Sequence, residues 1–322
     1  MKGCGGRVRP GRGRHADEMR GNSARLRLRS NLAVFLGLVS YGCASSRLAD
    51  PSRFPSFWSG DADCVAAARA RGDHVRRGDV HVWVSPGADW AESFAAEVRT
   101  GVDAVRGVLT AWGLESPTHV EVYACDRKIV SHAPGGPFVF LARAAIEEKR
   151  APWLHEVTHV LLRGGPRDWM IDFDEETASR TMPLWLTEGL TEFVAQTTSE
   201  TARVASSGPF STPVARLDET CVSAASDGPA SMLRWVGRAG RAPELFGSDR
   251  FRHARVFYPC ATSFIAWLAA GHGLRPLLDA QRATPREQER WEEIAGTSLE
   301  SERALWLCHL SSLPGGGQIP LD

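Results

Sequence analysis

His155-Glu156-Val-Thr-His159 constrains this chain more than any other stretch, because two imidazoles and a carboxylate recur at helical spacing inside the apolar run Pro152 to Leu162. Pro152 suits the first turn of a helix. Positions i and i+4 then share a face one turn apart, so both rings can reach one Zn²⁺ while Glu156 points alongside toward its water. Trp153, Leu154, Val157, Val160 and Leu161 would bury such a helix. With 10 histidines in the chain, chance supplies this pattern in roughly one such sequence in fifty.

A catalytic zinc takes three protein ligands and keeps one position open. The third donor is expected on a nearby element, and Pro183-Leu-Trp-Leu-Thr-Glu188-Gly-Leu-Thr-Glu192-Phe supplies it on a second amphipathic helix. Glu188 and Glu192 are four apart and share a face. Two carboxylates on the inward side of an apolar helix are costly unless they bind a metal or a hydrogen-bonded ligand.

The flanking patterns predict an α+β fold, with a small N-terminal sheet lobe and one long helix, then a mainly helical lobe, the two-histidine helix lying between them. Val80 to Val84 alternates as a strand, and His119 to Ala124 does so again. Between them, Trp90, Phe94, Val98, Val102, Val105, Leu109 and Trp112 recur at three- and four-residue spacing, which predicts a helix over 88–112. Phe138 to Leu141 completes the sheet. Helices are expected at 151–163, 184–197, 229–239, 256–271, 274–282 and 289–310. Two stretches read as functional loops: 164–181, acidic and Gly/Pro-rich, and 198–228, rich in Ser, Thr and Gly.

Balanced charge, 38 Lys+Arg against 38 Asp+Glu, argues against nucleic acid as a partner. No G-x-G-x-x-G or Walker motif points to a nucleotide, and no G-x-S-x-G to a serine hydrolase. Residues 1–43 read as an export segment, with Met19 as an alternative start: Arg25, Arg27 and Arg29 precede an uncharged run from Leu32 to Tyr41. Ten residues of helix cover about 15 Å, half a bilayer core. Gly42-Cys43 after that run resembles the lipobox of bacterial lipoproteins, which implies lipidation at Cys43; cleavage without a lipid and an uncleaved anchor are the other fates. Residues 44–78 read as a tether and packing segment. Export implies an oxidising compartment, so Cys64, Cys125, Cys221, Cys260 and Cys308 become candidates for one or two disulfides of unspecified connectivity.

H-E-x-x-H followed by W-L-x-E-G-x-x-E resembles the gluzincin metallopeptidases, and most closely the bacterial peptidase MA-like family. Tyr258 to Leu268 is similar to that family's Tyr-x-x-(small)-x-x-Phe helix, and Trp291 to Trp306 to its closing segment. The resemblance implies a zincin-like metallopeptidase domain over 79–322, with one Zn²⁺ held by His155, His159 and Glu188. It implies Glu156 as the general base and Glu192 as the acid that orients a ligand histidine, where thermolysin has Asp. Tyr258, with His253 as the alternative, would donate to the oxyanion. The implied activity is peptide-bond hydrolysis, in endopeptidase fashion, on a peptide or protein substrate. The implied location is the cell envelope, anchored to the membrane by lipid or secreted. A zinc-binding but non-hydrolytic envelope lipoprotein is the alternative from another functional class.

Overall fold

The computed structural model describes residues 61–127, 129–162, 184–204, 212–238, 245, 248–282 and 296–319. The export segment with Cys43, the tether up to residue 60, the acidic stretch 164–181 and the start of the 289–310 helix lie outside them. All described residues belong to one unit, Leu48–Asp322. Its architecture is α+β, with a strand region preceding a helical one.

A helix, α1 (Asp61–Arg71), leads into β1 (Asp73–Arg77) and β2 (Val80–Val84). These two strands form an antiparallel hairpin in which Gly78 takes φ +67°, a conformation open to glycine at the first position of a two-residue turn. Helix α2 (Ala91–Ala111) then crosses to β3 (Val120–Cys125), which lies parallel to β2. β4 (His132–Gly135) and β5 (Phe138–Ala142) follow, and the sheet order is β1-β2-β3-β5-β4. The three central strands are parallel and both edge strands antiparallel.

Period two along the strands sorts side chains onto two faces of different chemistry. Val80, Val82, Val84, Val120, Val122, Ala124, Val139 and Leu141 build the inner, aliphatic face of the main core. Trp83, Tyr123, Cys125, Phe138 and Phe140 build the outer face, together with Cys64, Val65 and Ala68 of α1. Alternation is the pattern of a strand with one wet face, yet His81 and Glu121, on that outer side, are 2% and 0% exposed. Glu121 is satisfied by Arg69 of α1 at 2.7 Å, by Tyr123 OH at 2.5 Å and by His119 at 2.8 Å. A buried carboxylate tolerates desolvation only with such partners.

Within the stretch 44–78, read as a tether and packing segment, the residues from Asp61 onward are packed into the folded body. Cys64 on α1 is disulfide-bonded to Cys125 at the end of β3, which closes α1 over the outer face.

The helical region begins with α3 (Arg143–Glu147) and α4 (Trp153–Leu162), followed by α5 (Leu184–Ala202), α6 (Leu217–Asp227), α7 (Arg250–His272), α8 (Arg275–Arg282) and α9 (Leu299–Ser311). Helix α4 packs against α2, α5, β4 and β5, and α5 runs along α7. The expected loop at 198–228 is corrected in two places. α5 continues to Ala202, and α6 occupies Leu217–Asp227. Ser and Thr content suggested a loop there, but Leu217, Cys221, Val222 and Ala225 form a buried stripe, and Cys221 is disulfide-bonded to Cys260 of α7. Packing overrides weak local propensity at such a site. The expected helix at 229–239 is a 3-10 segment, Ala230–Trp235. No helix among the described residues is long and apolar enough to cross a membrane.

Candidate metal centre

Helix α4 carries His155, Glu156 and His159 toward α5, which carries Glu188, Thr191 and Glu192. The close approach of α5 and α7 is set at Gly189, where a Cβ would stand 2.8 Å from the carbonyl oxygen of Ala261. Only glycine lets the backbone next to Glu188 sit so near α7, the helix of Tyr258.

Three ligand atoms converge. His155 Nε2 lies 3.0 Å from His159 Nε2 and 3.2 Å from Glu188 Oε2, and His159 Nε2 lies 3.4 Å from the same oxygen. Around a tetrahedral Zn²⁺ with ligands at about 2.0–2.1 Å, neighbouring donors sit about 3.3 Å apart. Spacing and donor chemistry therefore fit a metal: these three residues could hold one.

Each imidazole is gripped from behind. His155 Nδ1 donates to Glu192 Oε2 at 2.7 Å, and Gln196 Nε2 donates to the other oxygen of Glu192 at 2.5 Å. His159 Nδ1 lies 3.0 Å from Thr191 Oγ1. A carboxylate accepts only, so the proton of that pair sits on His155 Nδ1 and Nε2 is left facing the cluster.

The charges are strongly coupled. Burial lowers the pKa of His155, but its bonds to Glu188 and Glu192 outweigh this and leave it well above the usual histidine value. Burial works the other way on Glu188, whose carboxyl is nevertheless held well below the carboxylate range by His159 and His155. Glu192 is likewise lowered, against its burial, by His155 and Gln196. Glu156 is 6% exposed, and burial, joined by the charge of Glu188, raises its pKa, with His155, His159 and His132 of β4 opposing.

Tyr258 reaches the cluster from α7. Its ring meets that of His155 edge-on with centroids 6.1 Å apart, and its hydroxyl bonds to Glu188. Burial, then the negative charge of Glu188 and Glu156, raises the phenol pKa well above its usual value. It is thus a neutral donor. Five residues earlier on the same helix, His253 projects about 140° away from Tyr258.

The residues named from sequence at this centre, His155, Glu156, His159, Glu188, Glu192 and Tyr258, are brought together. Thr191 and Gln196 were not anticipated. Gln196 follows Glu192 at i+4, a spacing that could have suggested it; nothing local marks Thr191. No family model matches the chain, and no curated protein or solved structure matches it.

Proposed function

We propose that this chain is a zinc-dependent peptidase of the cell envelope that hydrolyses peptide bonds in a peptide or protein substrate. The observation that carries this reading is the convergence of His155, His159 and Glu188 at metal-ligand spacing beside a buried, otherwise uncommitted Glu156. Among the described residues three donors converge, and a catalytic zinc would take three protein ligands and keep one position for water or substrate.

A zinc ion bound there supplies Lewis acidity, polarising a carbonyl and bringing the pKa of water toward neutrality. Glu156 accepts the proton of the attacking water and returns it to the leaving amine. Its burial raises the carboxyl pKa, which favours taking up the proton it must then pass on. Tyr258, neutral and aimed into the cluster, donates a hydrogen bond to the oxygen on which negative charge develops. Glu192 holds His155 in the tautomer that presents Nε2. The envelope location, with lipid attached at Cys43 or the chain secreted, rests on the export segment.

Zinc per chain, measured by elemental mass spectrometry on the purified protein beside a His155→Ala/Glu188→Ala double variant, tests the centre. About one ion in the wild type and none in the variant is expected. No zinc in the folded, zinc-supplemented wild type would remove the reading. One zinc with no cleavage of a broad peptide library would leave a metal-binding, non-hydrolytic protein.

A further inference from the structure

The two imidazoles are gripped by consecutive residues of α5 whose chemistry differs. Glu192 offers His155 a carboxylate, whereas Thr191 offers His159 a hydroxyl at 3.0 Å. Side chains of consecutive helix residues point about 100° apart, and His155 and His159 stand one turn apart on α4. The crossing of the two helices lets neighbours on one serve both rings on the other.

Thr191 is fully buried, in a stretch where Leu190, Phe193 and Val194 are buried hydrophobics. Packing alone would be served by valine, which has the same shape. A buried hydroxyl incurs a desolvation cost unless it is bonded, so the hydroxyl calls for a partner, and the structure supplies His159 Nδ1.

We propose that Thr191 is a positioning residue for the metal: its oxygen accepts the Nδ1 proton of His159, leaving the Nε2 lone pair aimed at the point shared with His155 and Glu188. This rests on the reading of those three residues as a metal centre. A neutral imidazole carries one N–H, and only the form protonated at Nδ1 can coordinate through Nε2. A β-branched side chain on a helix has few rotamers, so the hydroxyl is held where His159 needs it. Because a neutral hydroxyl polarises the ring less than a carboxylate, the two histidines are unequal donors, with His159 the weaker.

The test uses the full chain, stripped of metal and titrated with Zn²⁺ and Co²⁺ against a chelator, comparing wild type, Thr191→Val and Thr191→Ser. Thr191→Val is expected to bind about tenfold more weakly, the lower end of the range for losing such a partner, and to shift the visible Co²⁺ absorption bands. Thr191→Ser, which keeps the oxygen, is expected within about threefold of wild type with unshifted bands. Wild-type affinity and bands in Thr191→Val would overturn the proposal. So would equal weakening in both variants, which would mean that packing and not the hydroxyl matters. Should Thr191→Val not fold, Thr191→Ala replaces it against Thr191→Ser, both having lost the methyl. A wild-type chain that takes up neither ion would overturn the metal centre itself and Thr191's role with it, whereas normal uptake by the wild type confines any failure to Thr191.

Discussion

His155 is bonded on both sides by carboxylates of one helix: Nδ1 donates to Glu192 Oε2 at 2.7 Å, and Nε2 lies 3.2 Å from Glu188 Oε2. The two acids are four residues apart on α5, so a single helical turn spans the ring. In the proposed metal centre, Glu192 would orient His155 and Glu188 would stand beside it as a further ligand.

Glu192→Gln keeps the shape of the orienting side chain and removes its charge. Zinc affinity, measured by chelator competition, should fall about tenfold or more. Unchanged affinity would show that the carboxylate contributes nothing to holding His155.

Glu156→Gln should leave the zinc content unchanged, because Glu156 is not among the three converging donors. Peptide hydrolysis should fall by about 10²–10⁴-fold. A variant that cleaves as fast as wild type would take Glu156 out of the mechanism.

Buried His81 is expected to make the protein acid-sensitive. Its pKa is lowered to about 4 by burial, and by the nearby His119 and His74, from 6.5 in the unfolded chain. A depressed value means that the neutral ring contributes its stability above pH 6.5, and that this is lost as pH falls toward 4. Glu121 and Arg76 also act on the ring, with opposite signs. Denaturant unfolding of the chelated protein across this window should show declining stability, less steep in His81→Phe. Parallel declines in the two proteins would refute the assignment to His81.

The Cys64–Cys125 bond closes a separation of 61 residues and fastens α1 over the outer sheet face. Replacing both cysteines by serine should cost about 4 kcal/mol from loop entropy. Equilibrium unfolding reads this directly, and a loss below about 1 kcal/mol would mean that α1 is held by packing and by its polar contacts, such as Arg69 with Glu121 and Tyr123 and Asp61 with His132.

Gly189→Ala puts a methyl against the Ala261 carbonyl, which must then move away. A destabilisation of about 1–3 kcal/mol is expected, with weaker zinc binding because Glu188 is displaced along with its neighbour. Wild-type stability and affinity in this variant would show that α5 and α7 yield at no cost.

Much of the centre was legible because its information is local. His155 and His159 share a helix face by spacing alone, and Glu188 and Glu192 declare themselves as acids on the inward side of an apolar helix. The central strands β2, β3 and β5, the long helix α2 and the α+β order follow from local pattern for the same reason. Tyr258 entered only through a family resemblance, and the structure sets its ring against His155.

Elsewhere local signals pointed away from the outcome. The stretch Asp61–Arg77 is short, polar and Arg-rich, yet it becomes a helix and an edge strand because Cys64, Val65 and Ala68 find an aromatic sheet face to cover. Ser and Thr in 217–227 suggested a loop until Cys221 met Cys260 on α7.

By itself, then, the sequence determined which helices carry the donors and which faces they share, since helical and strand periods depend only on near neighbours. Tertiary structure alone decided that Thr191 meets His159, that Glu121 is buried against Arg69, and that α1 closes the sheet. Those contacts join residues 32, 52 and 61 positions apart. No pattern of spacing records them, because they exist only where two independently formed faces meet.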